Sequence, residues 1–172
     1  MEDGDQKESG GEFVAEGNFI ILEDKDYETL LSEAAISTQK RAIRLLHKHG
    51  EHAHKMINAI LPDSYLRPHK HENHHQAESF TSLKGKAELI FFRDNGEIDE
   101  RVLLEGNKVV LVPVNKWHTV VTQEPCVLYI VKGQPEGGYN EATDKILAPW
   151  APEELSDEGT RYLQDLKLRL GL

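Results

Sequence analysis

Between residues 65 and 133 the sequence breaks into short segments rich in β-branched and aromatic residues, and turn residues end each of them. The strongest turn is Asp94-Asn95-Gly96, between AELIFFR and IDERVLL, because tight hairpin turns need a positive φ at their central residues. No run of apolar residues in this region follows a helical period. Short strands at spacings of about 8–12 residues predict an antiparallel sandwich or barrel.

Helical patterns lie on either side of this β-rich region. Apolar residues within 27–35 recur at i, i+3, i+4, i+7 and i+8, which predicts an amphipathic helix capped by Asp24 or Asp26. A second helix is predicted to begin at Ser156, where a run of cap-forming and acidic residues precedes an apolar stripe. The sequence therefore predicts an all-β domain with short flanking helices.

Composition separates an acidic N-terminal tail from a single domain. Residues 1–16 hold six acidic residues against Lys7 alone, so burial of apolar side chains cannot offset the entropy of ordering them. We predict a disordered tail at 1–16 and one domain at 17–172, since 172 residues are enough for one sizeable core. Within this domain the barrel core is expected at about 55–133, followed by a C-terminal segment and helix at 134–172.

Charge and cysteine content exclude several classes of protein. The formal net charge of −10 repels phosphate backbones and anionic lipids, so neither a nucleic-acid partner nor a membrane partner is expected. The single cysteine, Cys126, excludes an internal disulfide and a cysteine-based zinc site. No basic and apolar signal segment is visible at the N-terminus, and a free thiol suits a reducing compartment, so we predict a cytoplasmic protein.

Histidine is the residue type whose distribution is most unusual. The chain has 9 histidines, and all except His118 lie between positions 47 and 75. They form two groups: His47, His49, His52 and His54, then His69, His71, His74 and His75. Histidine is the commonest metal ligand, but density alone does not make a site. We interpret the first group as a surface loop and examine the spacing of the second.

Spacing brings part of the second group to one surface. Side chains alternate between the two faces of a strand, so His69 and His71 in RPHKH point the same way and can both bind one ion at about 2.0–2.1 Å. Glu78 opens the next predicted strand, and His118 enters a later one after a turn. These four residues are therefore candidate ligands of a divalent metal ion. Alternatives for the carboxylate position are Glu72, His74 and His75.

The same alternation gives candidates for a substrate pocket. Tyr65 and Arg67 share the predicted ligand face, and the Arg67 guanidinium suits a carboxylate or phosphate, although a structural ion pair is an equally good interpretation. Asn58, Phe80 and Tyr129 are predicted to line the pocket by alternation along their strands.

These residues together resemble the two motifs of the cupin superfamily, G-x5-H-x-H-x3-4-E-x6-G and G-x5-P-x-G-x2-H-x3-N. The matching positions are His69, His71, Glu78, Gly85, Gly106, Pro113 and His118. Departures include Asp63 in the place of the leading glycine and a longer gap between the second histidine and the glutamate. Asn115 replaces the third glycine, which is a mild change because Asn tolerates the left-handed conformation. Thr122 replaces the last Asn.

A narrower resemblance is to the WbuC family of cupin-fold metalloproteins. The segments INAILPDSYLRPHKH, ESFTSLKGKAELIFF, WHTVV and above all YNEATDKILAPWAPEE carry it, over roughly residues 20–157. The resemblance implies a single-domain cupin, a double-stranded β-helix or jelly-roll-like barrel with short flanking helices. It also implies a bound metal and a link to surface-polysaccharide biosynthesis, and the cupin resemblance implies a homodimer. It does not imply a particular reaction.

The expected function follows from an ion with open coordination positions. We expect one divalent metal per chain, with Fe, Mn, Ni, Co and Zn all compatible with three histidines and a glutamate. Such an ion suits isomerase, epimerase or lyase chemistry on a small polar metabolite such as a sugar or sugar nucleotide, or oxygenase chemistry if it is iron. The alternative is a non-catalytic sensor or binding module for a small molecule.

Overall fold

The structure is a computed structural model that describes residues 20–48, 50–135 and 138–172. The predicted acidic tail at 1–16 and His49 lie outside the described residues. The helices are α1 (Asp24–Ile36), α2 (Glu141–Asp144) and α3 (Asp157–Leu170). None of the helices in these ranges is long and apolar enough to cross a membrane.

Ten strands make up the rest of the regular structure in the described ranges. They are β1 (Arg41–Leu45), β2 (Ala53–Ile60), β3 (His69–Lys70), β4 (Glu78–Lys84), β5 (Ala87–Phe92), β6 (Ile98–Leu104), β7 (Val109–Val112), β8 (Trp117–Val121), β9 (Cys126–Gly133) and β10 (Ile146–Leu147). The Asp94-Asn95-Gly96 turn joins β5 to β6 as predicted, and these strands pair antiparallel.

The strands form two five-stranded antiparallel sheets. We call them the first sheet, in the order β1-β2-β9-β4-β7, and the second sheet, in the order β10-β3-β8-β5-β6. Their inner faces share one apolar core, in which Phe80 and Leu128 of the first sheet pack with Leu89, Phe91 and Val120 of the second. The predicted all-β barrel is therefore confirmed.

The two long helices cover the outer faces of the sheets. Leu30 and Ala34 of α1 pack against Ile57 and Val127 on the first sheet. The α3 helix begins where predicted, at the N-cap Ser156, whose side-chain oxygen accepts a hydrogen bond from the Gly159 N–H at 2.9 Å. Its apolar side packs on the outer face of the second sheet. One barrel thus has a helix packed on each sheet.

Two segments depart from the sequence prediction. The segment 65–71 was expected to be extended throughout, but only His69–Lys70 is paired as a strand. The sequence GGYNEATDKILAPWAPEE, at 137–154, predicts an irregular segment, yet this segment contains α2 and β10, and β10 pairs with β3. This pairing places the C-terminal segment directly beside the strand that holds two of the candidate ligands.

Candidate metal centre

Four side chains converge between the two sheets, at the end of the barrel where β4 begins. The donor atoms of His69, His71, Glu78 and His118 all lie within 4.8 Å of one another. His69 and His118 face each other across the β3–β8 pair, whereas Glu78 comes from the first sheet. The structure therefore brings together the four residues that the sequence proposed as ligands, from segments far apart in the chain.

Strand alternation explains why His118 points inward. Along β8, Trp117 and Val121 pack against the α3 side, whereas Val120 belongs to the inner core, so His118 shares the inner face. The turn before β8 is held at Asn115, whose φ is 62° and whose backbone N–H donates to the His71 carbonyl at 2.7 Å. The left-handed conformation inferred for Asn115 is thus present, and the turn connects two ligand-bearing segments.

The backbone sets the orientation of all three imidazoles. The Nδ1 atoms of His69, His71 and His118 lie 3.0, 2.5 and 2.8 Å from the carbonyl oxygens of Arg67, Asp144 and Lys116. A carbonyl oxygen only accepts hydrogen bonds, so this geometry assigns the proton of each ring to Nδ1. Each Nε2 is then left with its lone pair, the form that binds a metal ion.

The Glu78 carboxylate lies among these lone pairs. Its Oε2 is 3.0 Å from His118 Nε2, and its Oε1 is 3.4 Å from His71 Nε2. With the Nδ1 positions protonated, these contacts bring acceptors together and require a proton or a cation between them. The His71 Nε2 atom is also buried with no hydrogen-bond partner among the described residues. This donor set and this unpartnered atom fit a divalent metal ion.

The ionisation states of the cluster agree with that fit. Burial alone would raise the pKa of the Glu78 carboxyl, but the neighbouring imidazoles of His118 and His71 outweigh it and hold this pKa well below its usual range. Burial lowers the pKa of His69 well below its usual value, and the positive charge of the nearby Lys145 adds to this effect. A charged carboxylate and a neutral imidazole are the forms required of metal ligands.

The alternative ligands from the sequence lie outside the cluster. Glu72, His74 and His75 are exposed, and Glu72 pairs with Lys70 at 2.9 Å. The longer gap between the second histidine and Glu78 is therefore accommodated as a surface turn.

Two of the pocket predictions are wrong because the chain leaves its extended register before β3. Leu66 packs against the inner core, whereas Tyr65 packs in the outer cluster beneath α3 and donates its hydroxyl hydrogen to the Pro152 carbonyl at 3.0 Å. The Arg67 side chain donates to the Ala148 carbonyl at 2.9 Å. Alternation cannot be carried across this irregular segment, and both side chains are engaged by the C-terminal segment rather than by the cluster.

The other three pocket predictions have mixed outcomes. Tyr129 is wrongly placed, because alternation along β9 turns it toward α1. Phe80 lies in the inner core with its ring 6.1 Å from that of His118, and it forms an apolar floor beneath the cluster. Asn58 lies on the strand face that carries Met56 and Ile60 into the core. A role of Phe80 or Asn58 in substrate binding stays a prediction.

Sequence reasoning missed three buried polar residues beside the cluster. Lys132 lies opposite Glu78 in the β4–β9 pair, and it forms an ion pair with Asp144, which also accepts from Gln76. The available signal was a lysine at an inward position of the otherwise apolar strand CVLYIVKG. A buried lysine needs a partner, and that partner lay in a segment without periodicity.

Comparison with known protein families gives a match to a domain of unknown function. The family model described as a domain of unknown function, DUF6016, matches residues 22–104, a range that contains three of the four cluster residues and ends before His118. No curated protein matches the sequence.

Similar solved structures have low sequence identity to the chain. A conserved protein of unknown function from Streptococcus pyogenes is 15% identical, with 74% of this chain and 98% of that chain covered and a TM-score of 0.51. A cupin-2 domain protein from Shewanella frigidimarina is 15% identical, with coverages of 54% and 80% and a TM-score of 0.44. A cupin superfamily protein from Desulfitobacterium hafniense is 13% identical, with coverages of 54% and 76% and a TM-score of 0.46. The likeness to the Streptococcus pyogenes protein is one of fold alone, and the order of strands in the two sheets agrees with the expected single-domain jelly-roll-like barrel.

Proposed function

We propose that the protein binds one divalent metal ion through His69, His71, Glu78 and His118. The observation that carries this proposal is the convergence of three Nε2 lone pairs on one buried carboxylate, which leaves a cluster of acceptors without a positive charge. Burying such a cluster is costly unless a cation neutralises it. Four ligands leave one or two positions free on a five- or six-coordinate ion, and those positions are available to a small molecule.

We further propose that the bound molecule is a small polar metabolite with an anionic group, such as a sugar nucleotide. The inner core fills the barrel below the cluster, so the molecule approaches from the end at which β4 begins. The exposed Lys145 is close enough to act electrostatically on His69, and it offers a cation at that approach. Lys145, and not Arg67, is therefore the cation proposed to bind the anionic group.

The proposed activity is metal-dependent isomerisation, epimerisation or lyase chemistry, with oxygenation as the counterpart for iron. A metal ion supplies Lewis-acid stabilisation of a carbonyl or enediolate oxygen. The chain's own contribution is orientation of the imidazoles by backbone carbonyls and exclusion of water by the Phe80 floor. The resemblance to the WbuC family suggests a role in surface-polysaccharide biosynthesis.

Turnover measurements on metal-loaded protein test this activity. Native protein loaded with Mn²⁺, Fe²⁺, Co²⁺, Ni²⁺ or Zn²⁺ is incubated with a panel of sugar nucleotides, and products are followed by mass spectrometry and solvent deuterium incorporation. Metal-free protein and His118→Ala are the controls. Turnover that requires the metal supports an enzyme. Tight binding of a panel member without turnover would instead favour the sensor.

We also propose a homodimer. The edge strand β7 carries Val109 and Leu111, whose exposed fractions are 59% and 75%, and exposed apolar residues on a sheet edge favour pairing with another chain. Light scattering at micromolar concentration should give twice the chain mass of 19.5 kDa. A monomer mass for the native protein would contradict the dimer. The variant Leu111→Lys is expected to be a monomer, because it places a charge on the proposed interface.

A further inference from the structure

A buried ion pair lies next to the metal cluster and takes no direct part in it. Lys132 and Asp144 are only 6% and 8% exposed, and the Lys132 Nζ lies 2.8 and 2.7 Å from the two carboxylate oxygens of Asp144. Gln76, which is 1% exposed, donates its side-chain N–H to Asp144 Oδ1 at 2.8 Å. Two buried donors therefore hold one buried carboxylate.

Asp144 joins this ion pair to the cluster through its own backbone. While its carboxylate is held by Lys132 and Gln76, its carbonyl oxygen lies 2.5 Å from His71 Nδ1. The position of the side chain thus fixes the position of the carbonyl within one residue. That carbonyl decides which nitrogen of the His71 ring carries the proton and where Nε2 points.

Local secondary structure is too short to fix Asp144 by itself. The residue ends α2, a helix of four residues, and is followed after one residue by the two-residue strand β10. The β10–β3 ladder places Leu147 opposite His69, so this segment runs along the ligand-bearing strand with few backbone hydrogen bonds. Side-chain contacts must supply the remaining restraint.

We propose that Lys132, Asp144 and Gln76 form a lock that positions His71 for the metal ion. The inference rests on the proposed metal centre. These are positioning residues, since none of them is among the four ligands. Loss of a partner that orients a ligand typically lowers metal affinity by about 10–100-fold, and we expect a loss of that size when the lock is broken.

The competing interpretation is that the ion pair only supports folding. A buried ion pair adds little net stability, and its replacement by neutral side chains is often tolerated, whereas removal of one partner leaves an uncompensated charge. A structural role therefore predicts that metal affinity follows folding stability across variants. A positioning role predicts that metal affinity falls in these variants even where folding stability is recovered.

Cobalt binding to the metal-free full chain distinguishes these roles. The variants are Asp144→Asn, Lys132→Met, the double variant Lys132→Met with Asp144→Asn, and the milder Gln76→Leu. The control is Glu33→Gln, which removes the ion pair that Glu33 forms with Arg44 at 2.6 Å on the opposite side of the first sheet. Each protein is titrated with Co²⁺ while its visible absorption spectrum and Tm are recorded.

We expect each single lock variant to bind Co²⁺ about 10–100-fold more weakly, with shifted absorption bands, while Glu33→Gln matches the native protein. The double variant should regain Tm but not affinity. Native Co²⁺ affinity and absorption bands in Asp144→Asn and Gln76→Leu would contradict the positioning role and leave the proposed metal centre intact. Recovery of affinity together with Tm in the double variant would do the same. A native protein that binds no Co²⁺ would contradict the metal centre, and the lock with it.

Discussion

Two histidine-containing regions of this protein have similar sequence density and different geometry. In the first, His47 and His54 stack face to face, with ring centroids 4.5 Å apart and planes 8° apart. In the second, the rings of His69, His71 and His118 are tilted against one another at 4.6–6.1 Å around the Glu78 carboxylate. Within the described ranges, only the second region brings three or more metal-ligating side chains together.

The difference shows that orientation, and not abundance, makes a histidine cluster into a candidate metal centre. Each ring in the second region has a backbone carbonyl at Nδ1, so its Nε2 is directed at the carboxylate. In the first region the His47 Nδ1 contacts the backbone of Lys55, at 2.9 Å from the carbonyl oxygen and 3.1 Å from the amide nitrogen. Stacked parallel rings suit packing rather than ligation.

The largest expected effect is on metal content when a ligand is removed. His118→Ala should empty the site, because the imidazole donates directly to the ion. The loss of metal affinity should exceed the loss of about 10–100-fold that is typical when a residue that only orients a ligand is removed. The matched control is His74→Ala with His75→Ala, two exposed histidines that should be dispensable. Metal retained by His118→Ala and lost by the double variant would mean that the site is built from the surface turn.

Acidification should destabilise the metal-free protein in a way that depends on His69. Burial above all holds the pKa of His69 well below 6.5 in the folded chain, so between these two values the unfolded chain binds more protons. The free energy of unfolding should therefore fall as pH decreases below about 6.5, by at most about 1.4 kcal/mol per pH unit from this group.

Urea denaturation at several pH values from 8 to about 5 measures this slope. The variant His69→Gln removes the titrating ring and should flatten it. An equal slope in the two proteins would show that His69 titrates normally when folded.

A smaller effect is expected in the first histidine region. His47→Ala removes the stack with His54 and should lower the free energy of unfolding by about 1 kcal/mol, the scale of an aromatic pair. Metal content should not change, and elemental analysis with thermal denaturation checks both. Loss of metal in this variant would erase the contrast between the two regions.

The smallest effect is expected from deleting residues 1–16. The segment is acidic and lacks apolar anchors, so its removal should leave Tm and metal content unchanged. Differential scanning calorimetry of the shortened and full-length chains tests this, and a large fall in Tm would show that the tail packs on the domain.

Sequence reasoning succeeded where alternation and turn chemistry act locally. The strands around Glu78 and His118, and the left-handed turn at Asn115, follow from patterns a few residues long. Sequence reasoning failed at Tyr129, because both faces of β9 are apolar. Which residues of β9 face outward is set by contacts with α1, and no local pattern shows it.

It also failed where contacts are long-range and irregular. Arg67 was assigned by alternation to a segment that is not a strand, and its partner Ala148 lies 81 positions away. The Lys132–Asp144 pair joins a strand to a segment without periodicity, so no pattern in the sequence predicts it.

The central claim is that the cluster of His69, His71, Glu78 and His118 holds a metal ion, and elemental analysis tests it most directly. The full chain is expressed without a histidine tag, purified without nickel resin, and analysed for first-row transition metals. We predict about one equivalent per chain, either as purified or after reconstitution of the chelated protein. Less than about a tenth of an equivalent, with no uptake on reconstitution, would contradict the account.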